Sequence, residues 1–322
     1  MDNLKRRGSE LNVSRLRSQG VDFVHGDIRN SEDLSVITKA DVIIDACAEP
    51  SVMAGLDGSI DYLLNTNLIG TLNCLKLARQ LGSKFIFLST SRVYPIARIN
   101  EIAFETTPSR FTIAAQQRLP GISPKGISED FPLQGARSFY GTTKLASELA
   151  IEEYVEFFGL KAVVNRCGVL TGPWQMGKVD QGVIVLWLAQ HFYKKQLKYF
   201  GFGGNGQQVR DLLHVRDLFN LVRLQAEDID RFVGQVYNVG GGQEVSVSLK
   251  ELTGLCQQIT GNEIPIESVP ETRTADIRIY ITDNSRITAT CGWKPQLSLQ
   301  QTLEDIHQWI EDNAEALRPI LS

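Results

Sequence analysis

An α/β fold, a doubly wound parallel sheet followed by a smaller mixed α/β domain, is what this sequence predicts, on three observations. Short apolar runs bounded by turn residues alternate with stretches of helical period up to about residue 170. Those runs are nearly continuous in apolar residues, as in strands covered on both faces. Beyond about residue 170 the elements become shorter and mixed. The expected division is residues 1–168 and 169–322, the second domain partly interleaved with the first.

In chain order, "VDFVHGD" (21–27) reads as a strand, "SEDLSVITKA" (31–40) as helical and "DVIIDACA" (41–48) as a short buried strand. A helix follows through "IDYLLNTNLIGTLNCLKLARQLG", then the strand "KFIFLSTS" (84–91). Between Pro95 and Arg137, Pro, Gly, Ser and Thr interrupt all periodicity, the pattern of a lid or binding loop. From Tyr140 a long helix is signalled by Leu145, Leu149 and Phe158 at helical spacing, with Gly159 as its stop. "KAVVNRCGVL" (161–170) is the next strand, and "SLQQTLEDIHQWIEDN" near the end is a polar amphipathic helix.

Composition narrows the function classes. With 322 residues, 43% hydrophobic and 22% charged, the chain suits a globular protein, and a net charge of −4 does not suggest nucleic acid as a partner. No apolar run reaches the roughly 18–20 residues a bilayer span needs, so no membrane partner and no signal peptide are expected. Cys47, Cys74, Cys167, Cys256 and Cys291 are scattered without a C-x-x-C spacing, which suits reduced thiols in a cytoplasm. The four histidines are equally dispersed, and no metal is expected.

"GFGGNG" (201–206) formally matches the dinucleotide fingerprint G-x-G-x-x-G. Such a loop belongs to the first β-α turn of its sheet, ahead of a long helix. Here "QQVRDLLHV" follows, so a plain turn is expected, and "VGGGQE" (239–244) fares no better.

"YGTTK" places Tyr140 and Lys144 one helical turn apart on the same face. A free tyrosine titrates near 10, and a nearby ammonium favours its phenolate. The spacing alone is common, but its position strengthens it. Ser89, Thr90 and Ser91 emerge where an apolar strand ends, at the carboxyl edge of the sheet, where ligands of open α/β folds bind.

With "FLSTSRVY", "YGTTKLASE", "VHGDIR" and "NTNLIGTLNCLKLA", the chain resembles, over essentially its whole length, the extended short-chain dehydrogenase/reductase family, the NAD-dependent nucleotide-sugar epimerases and dehydratases. "DQGVIVLW", "GNGQQVRDLLHVRD" and "ETRTADIRIYITD" are most similar, within it, to the CDP-paratose (CDP-tyvelose) 2-epimerases. The resemblance implies Thr90, Tyr140 and Lys144 as catalytic residues. It implies Asp2, Asp27, Ile28, Ala46, Ala48, Asn67, Ser89, Tyr140, Lys144 and Cys167 as contacts to NAD. Thr90, Arg210 and Arg273 would hold the substrate, the two arginines on its diphosphate, which guanidinium forks suit. A nucleotide-diphosphate sugar as substrate, a homodimer or homotetramer, a cytoplasmic location and a place in polysaccharide biosynthesis are implied as well.

The opening "MDNLKRRG" matches D-N-L-x-R-x-G, which in the family directly follows the second strand, with the acidic residue on the adenosine ribose. The implied sheet is therefore Rossmann-like but lacks its first strand and glycine loop, roughly 30 residues, and weak NAD binding is expected without that anion cradle. Lys5, Arg6 and Arg7 would suit the 2′-phosphate of NADP, but Asp2 would repel it, which favours NAD. Two departures stand out: Pro95 where the family has glycine after Val-Tyr, and Val169 where many relatives carry a polar substrate contact. The expected reaction is epimerisation at C2 through a transient ketone. The alternatives are a dehydratase or reductase of the same family, or a non-catalytic truncated member. A dehydratase needs an acid-base carboxylate pair just after the catalytic Thr, where this chain has Ser91 and Arg92.

Overall fold

The computed structural model describes residues 1–56, 59–177 and 181–322. The described chain forms two compact units, one of residues 1–93, 137–167 and 219–237, the other of 94–136, 168–218 and 238–322.

The first unit is built on a four-stranded sheet. Its strands are β1 (Val42–Asp45), β2 (Lys84–Thr90), β3 (Ala162–Cys167) and β4 (Val236–Val239), side by side in that order. β1 pairs with β2 and β2 with β3 in parallel, so each connection is a crossover, made by helices α1 (Gly70–Leu81) and α2 (Phe139–Phe158). Phe85, Phe87, Ala162 and Val164 lie almost wholly buried on one face, packed with Leu75, Ala78 and Ile151 from the two helices. The fold is thus the α/β, Rossmann-like architecture the sequence predicts, and among the described residues no strand of this sheet precedes Val42.

Upstream of β1 the chain forms short helices at Leu11–Ser18 and Ser31–Leu34. The expected strand at 21–27 is corrected to a single parallel bridge between Asp2 and His25. A strand needs a ladder partner along its length, and the exposed Val21 has none of the burial that a core strand offers. The helix expected through 60–82 is present but interrupted by a wide π turn at Asn65–Ile69, ahead of α1.

α2 starts where Ser138 accepts the Gly141 amide at 3.2 Å and stops at Gly159, in the left-handed conformation at φ 64°. Of its apolar residues Ile151 is buried but Leu149 and Phe158 are exposed, whereas the polar Thr143, Lys144, Ser147 and Glu148 are buried. The apolar spacing finds the helix, but the first half of the face it turns to the sheet is polar, with Ile151 the buried apolar residue beyond it.

The second unit holds Val209–His214 at the centre of a small mixed sheet, antiparallel to Ser246–Ser248 and parallel to Ile279–Tyr280 and Val169–Thr171. Helices Leu249–Thr260 and Leu299–Asp312 each begin with a reciprocal capping box, Ser248 with Glu251 and Ser298 with Gln301. The stretch from 95 to 137 is not the irregular lid its composition suggests. It carries a short helix at Ile96–Asn100 and two small antiparallel pairs, Phe104–Thr106 with Phe111–Ile113 and Ile122–Ser123 with Gly126–Ile127. Backbone hydrogen bonds from Phe111 to Gln207 and from Ile127 to Ile281 sew it into the second unit. "GFGGNG" is a turn, as expected, with Gly204 pressed against Ser268.

Candidate active site

The parallel ladder places Thr90 and Cys167 side by side at the carboxyl ends of β2 and β3, and Ser89 beside Arg166 one residue earlier. The N-terminus of α2 comes down onto this edge. Gly141 makes that approach possible: a Cβ there would lie 2.1 Å from the Arg92 carbonyl oxygen. The Tyr140 phenol and the Thr90 hydroxyl are thereby brought close enough to influence each other. Thr90 Oγ1 also accepts the Arg92 amide at 3.2 Å.

Burial pushes the Tyr140 phenol up to about 12, opposed by the Thr90 hydroxyl and by the charge of Arg92. The charge of Arg92 thus adds to whatever Lys144, expected from the sequence as the partner of Tyr140, contributes. Lys144 reaches inward, its Nζ 3.9 Å from the centroid of the Phe87 ring. Burial lowers its pKa, and Asp45 is the foremost of the groups that oppose this.

Beneath the tyrosine and lysine lies a polar layer that sequence reasoning missed. Glu148, one turn beyond Lys144, accepts the Ser89 hydroxyl and the Arg166 guanidinium, Nη2 to Oε2 at 2.8 Å, with both charged side chains almost wholly buried. The signal was present, since a charge inside "KAVVNRC" and a glutamate on the Tyr140–Lys144 stripe both violate a simple core pattern. Each of Arg166 and Glu148 supplies the counter-charge that burial of the other requires.

Asn67, expected at the cofactor, has its amide committed to the protein. Its oxygen accepts the Glu49 amide at 2.7 Å, and its nitrogen donates to the Glu49 carbonyl at 3.0 Å and to Thr143 at 3.2 Å. It thereby fixes the loop that carries Ala46 and Ala48 after β1, of which Ala46 is exposed and Ala48 half-buried. Cys167 is buried, its thiol pushed up to about 12 by that burial.

At the start of the unit, a cavity of about 480 Å³ is lined by Asn3, Lys5, His25, Asp27, Arg29 and Asp33 among others. Arg29 Nη2 and Asn3 Nδ2 hold the Asp27 carboxylate at 2.7 and 2.9 Å, and the Arg29 hydrogen bond keeps its pKa well below the usual range. Asp2 Oδ1 accepts the Leu4 amide at 2.6 Å, and Leu4 itself lies in the left-handed region at φ 52°. Ile28 turns its side chain into the core under Gly70. The size and mixed polarity of this cavity suit a nucleoside, so the residues here fit the adenosine end of a dinucleotide.

In the second unit, Arg210 spends its guanidinium on backbone, donating to the Val209 and Ile277 carbonyls at 2.6 Å each. Arg273 pairs with Asp276 at 3.5 Å and lies over the Phe200 ring. The segment from 273 to 278 therefore anchors both arginines expected at the diphosphate. Of "DQGVIVLW", Asp180 lies outside the described residues, and Val183–Phe192 is a helix.

A family model, the NAD dependent epimerase/dehydratase family, matches residues 2–240. CDP-paratose 2-epimerase of Salmonella typhi is 31% identical over 318 residues, covering 96% of this chain and 90% of that protein. Among solved structures, dTDP-glucose 4,6-dehydratase from Bacillus anthracis, in complex with NAD, superposes with a TM-score of 0.75 at 25% identity over 99% of this chain and 89% of that one. Pal from Bacillus thuringiensis superposes with a TM-score of 0.77 at 23% identity, over 97% and 90%. NAD, the cofactor expected from the sequence, is the one the family's description names. With a parallel α/β sheet, a Thr90–Tyr140 pair at its carboxyl edge and these matches, the chain belongs to the NAD dependent epimerase/dehydratase family.

Proposed function

We propose that this protein is an NAD-dependent nucleotide-sugar 2-epimerase of the CDP-paratose 2-epimerase kind, working through a transient ketone. The observation that carries the proposal is the approach of Tyr140 to Thr90 at the sheet edge, with Lys144 buried one turn along the same helix. Similarity to the Salmonella typhi enzyme supports the choice of C2. Bound NAD supplies the redox chemistry that takes a hydrogen from the sugar carbon and returns it to the opposite face. The chain's own residues handle the proton. Burial favours the protonated phenol, so the charges of Lys144 and of the bound nicotinamide would have to favour its ionised form. Ionised Tyr140 Oη then takes the proton from the sugar hydroxyl, with Thr90 beside it. The proton goes back to the sugar oxygen when the ketone is reduced.

The Asp27–Asn3–Arg29 corner and Asp2 would take the adenosine of NAD, and the loop of Ala46 and Ala48, fixed by Asn67, would border it. Arg210 and Arg273 would take the substrate diphosphate. Ser91 and Arg92 follow Thr90 in place of the carboxylate pair that dehydration needs, which supports epimerisation over dehydration. Leu149, Phe157 and Phe158, exposed on α2, support association with a second copy. No described helix is long and apolar enough to cross a membrane, which is compatible with the proposed cytoplasmic location.

Incubation of the protein and NAD with a CDP-linked 3,6-dideoxyhexose, followed by proton NMR, tests the proposal. Inversion at C2 alone is expected. A 4-keto-6-deoxy product would instead make the enzyme a dehydratase, and unchanged sugar under conditions where the protein binds NAD would remove the epimerase reading.

A further inference from the structure

Lys144 is 1% exposed, and its ammonium lies over the face of the Phe87 ring, 3.9 Å from the centroid. A ring face attracts a cation but falls far short of its hydration shell, so this charge needs a counter-charge. The titratable groups that act on it come from β1 and the loop after it, from β3 and from α2 itself: Asp45, Cys47, Cys167 and Glu148, with Tyr140 one turn earlier on α2. Burial pushes the Cys47 and Cys167 thiols and the Tyr140 phenol up to about 12, so all three are neutral at neutral pH. Glu148 is already engaged by Arg166 and Ser89.

Asp45 remains. It ends β1 after three apolar residues, is 2% exposed, and lies directly beside Phe87 in the parallel ladder. Ladder partners project from the same face of a sheet, so the Asp45 carboxylate and the Phe87 ring under Lys144 are neighbours one strand apart. Its position is fixed from the far side, where Thr71 Oγ1 donates to Oδ2 at 2.8 Å and the Cys47 amide donates to Oδ1 at 3.0 Å. Thr71 also donates to the Asn67 carbonyl, which accepts Ser147 of α2 as well. One polar layer thus sets both the carboxylate and the helix that carries Lys144.

We propose that Asp45 is a positioning residue whose carboxylate keeps the buried Lys144 ammonium charged and in place beside Tyr140. Its consequence for catalysis rests on the epimerase reading, in which the lysine's charge supports the tyrosine as it gains and loses a proton.

The test is a pH titration of lysine-selective 13C-labelled protein by NMR, with the Lys144 resonance assigned by its loss in Lys144→Met. The Lys144 midpoint should fall by about one pH unit or more in Asp45→Asn. In Thr71→Val, which removes a hydrogen bond but keeps the carboxylate, it should stay within about 0.3 of wild type. Should Asp45→Asn not fold, the reciprocal holds: the Asp45 carboxyl midpoint should rise in Lys144→Met. An unmoved midpoint in either direction, or equal falls in Asp45→Asn and Thr71→Val, overturns the proposal. None of these readings depends on turnover, so a failed epimerase assignment would show separately, as absent C2 inversion with the Asp45–Lys144 coupling intact.

Discussion

Tyr140→Phe is expected to lower kcat at least about 100-fold, the usual worth of a positioned acid-base group. The substitution removes one oxygen, the one that meets Thr90, and leaves the ring in place. Folding stability should change by no more than about 1 kcal/mol, the net value of a single hydrogen bond. KM for the sugar nucleotide should move little, because the phenol acts on the proton in flight more than on the bound ground state. Steady-state rates and urea unfolding of the two proteins separate these effects. A variant within a factor of a few of wild type would take Tyr140 out of the mechanism.

Arg166→Met should produce the largest loss of stability among single changes in the first unit, about 3–5 kcal/mol. Arg166 and Glu148 have side chains only 6% and 4% exposed, and Arg166 approaches Glu148 through both Nε and Nη2. Removing the guanidinium strands a carboxylate with the Ser89 hydroxyl as its remaining neutral donor. The paired change Arg166→Met with Glu148→Gln should recover part of the loss, since no uncompensated charge is then buried. Urea unfolding of the two single variants and the double gives the cycle. Additive losses would mean that the two residues act independently, against the structure.

Much of this fold was legible because its signals are local. "KFIFLSTS" reads as a buried strand from its apolar run, and α2 reads as a helix from the capping position of Ser138 to the stop at Gly159. Thr90, Tyr140 and Lys144 were legible because strand end and helix start bring them to one edge. What escaped depends on partners distant in sequence. Val21–Asp27 has the residues of a strand but only Asp2 to pair with, at one position. The stretch after Pro95 looks irregular until strands from 209 and 279 provide neighbours. Asp45, Glu148 and Arg166 look like breaks in apolar elements, because a sequence does not show that a charge two elements away neutralises them. The α2 spacing likewise puts Lys144 on the Tyr140 face but does not show that its chain rests on the Phe87 ring.

The central claim is that the sugar carbon is inverted through a ketone, with its own hydrogen returned. Product formed in deuterium oxide measures this directly. The account predicts no deuterium at C2, and full retention of label from substrate deuterated there. Epimerisation by deprotonating carbon would instead exchange that position with solvent. Stoichiometric deuterium at C2 would contradict the account.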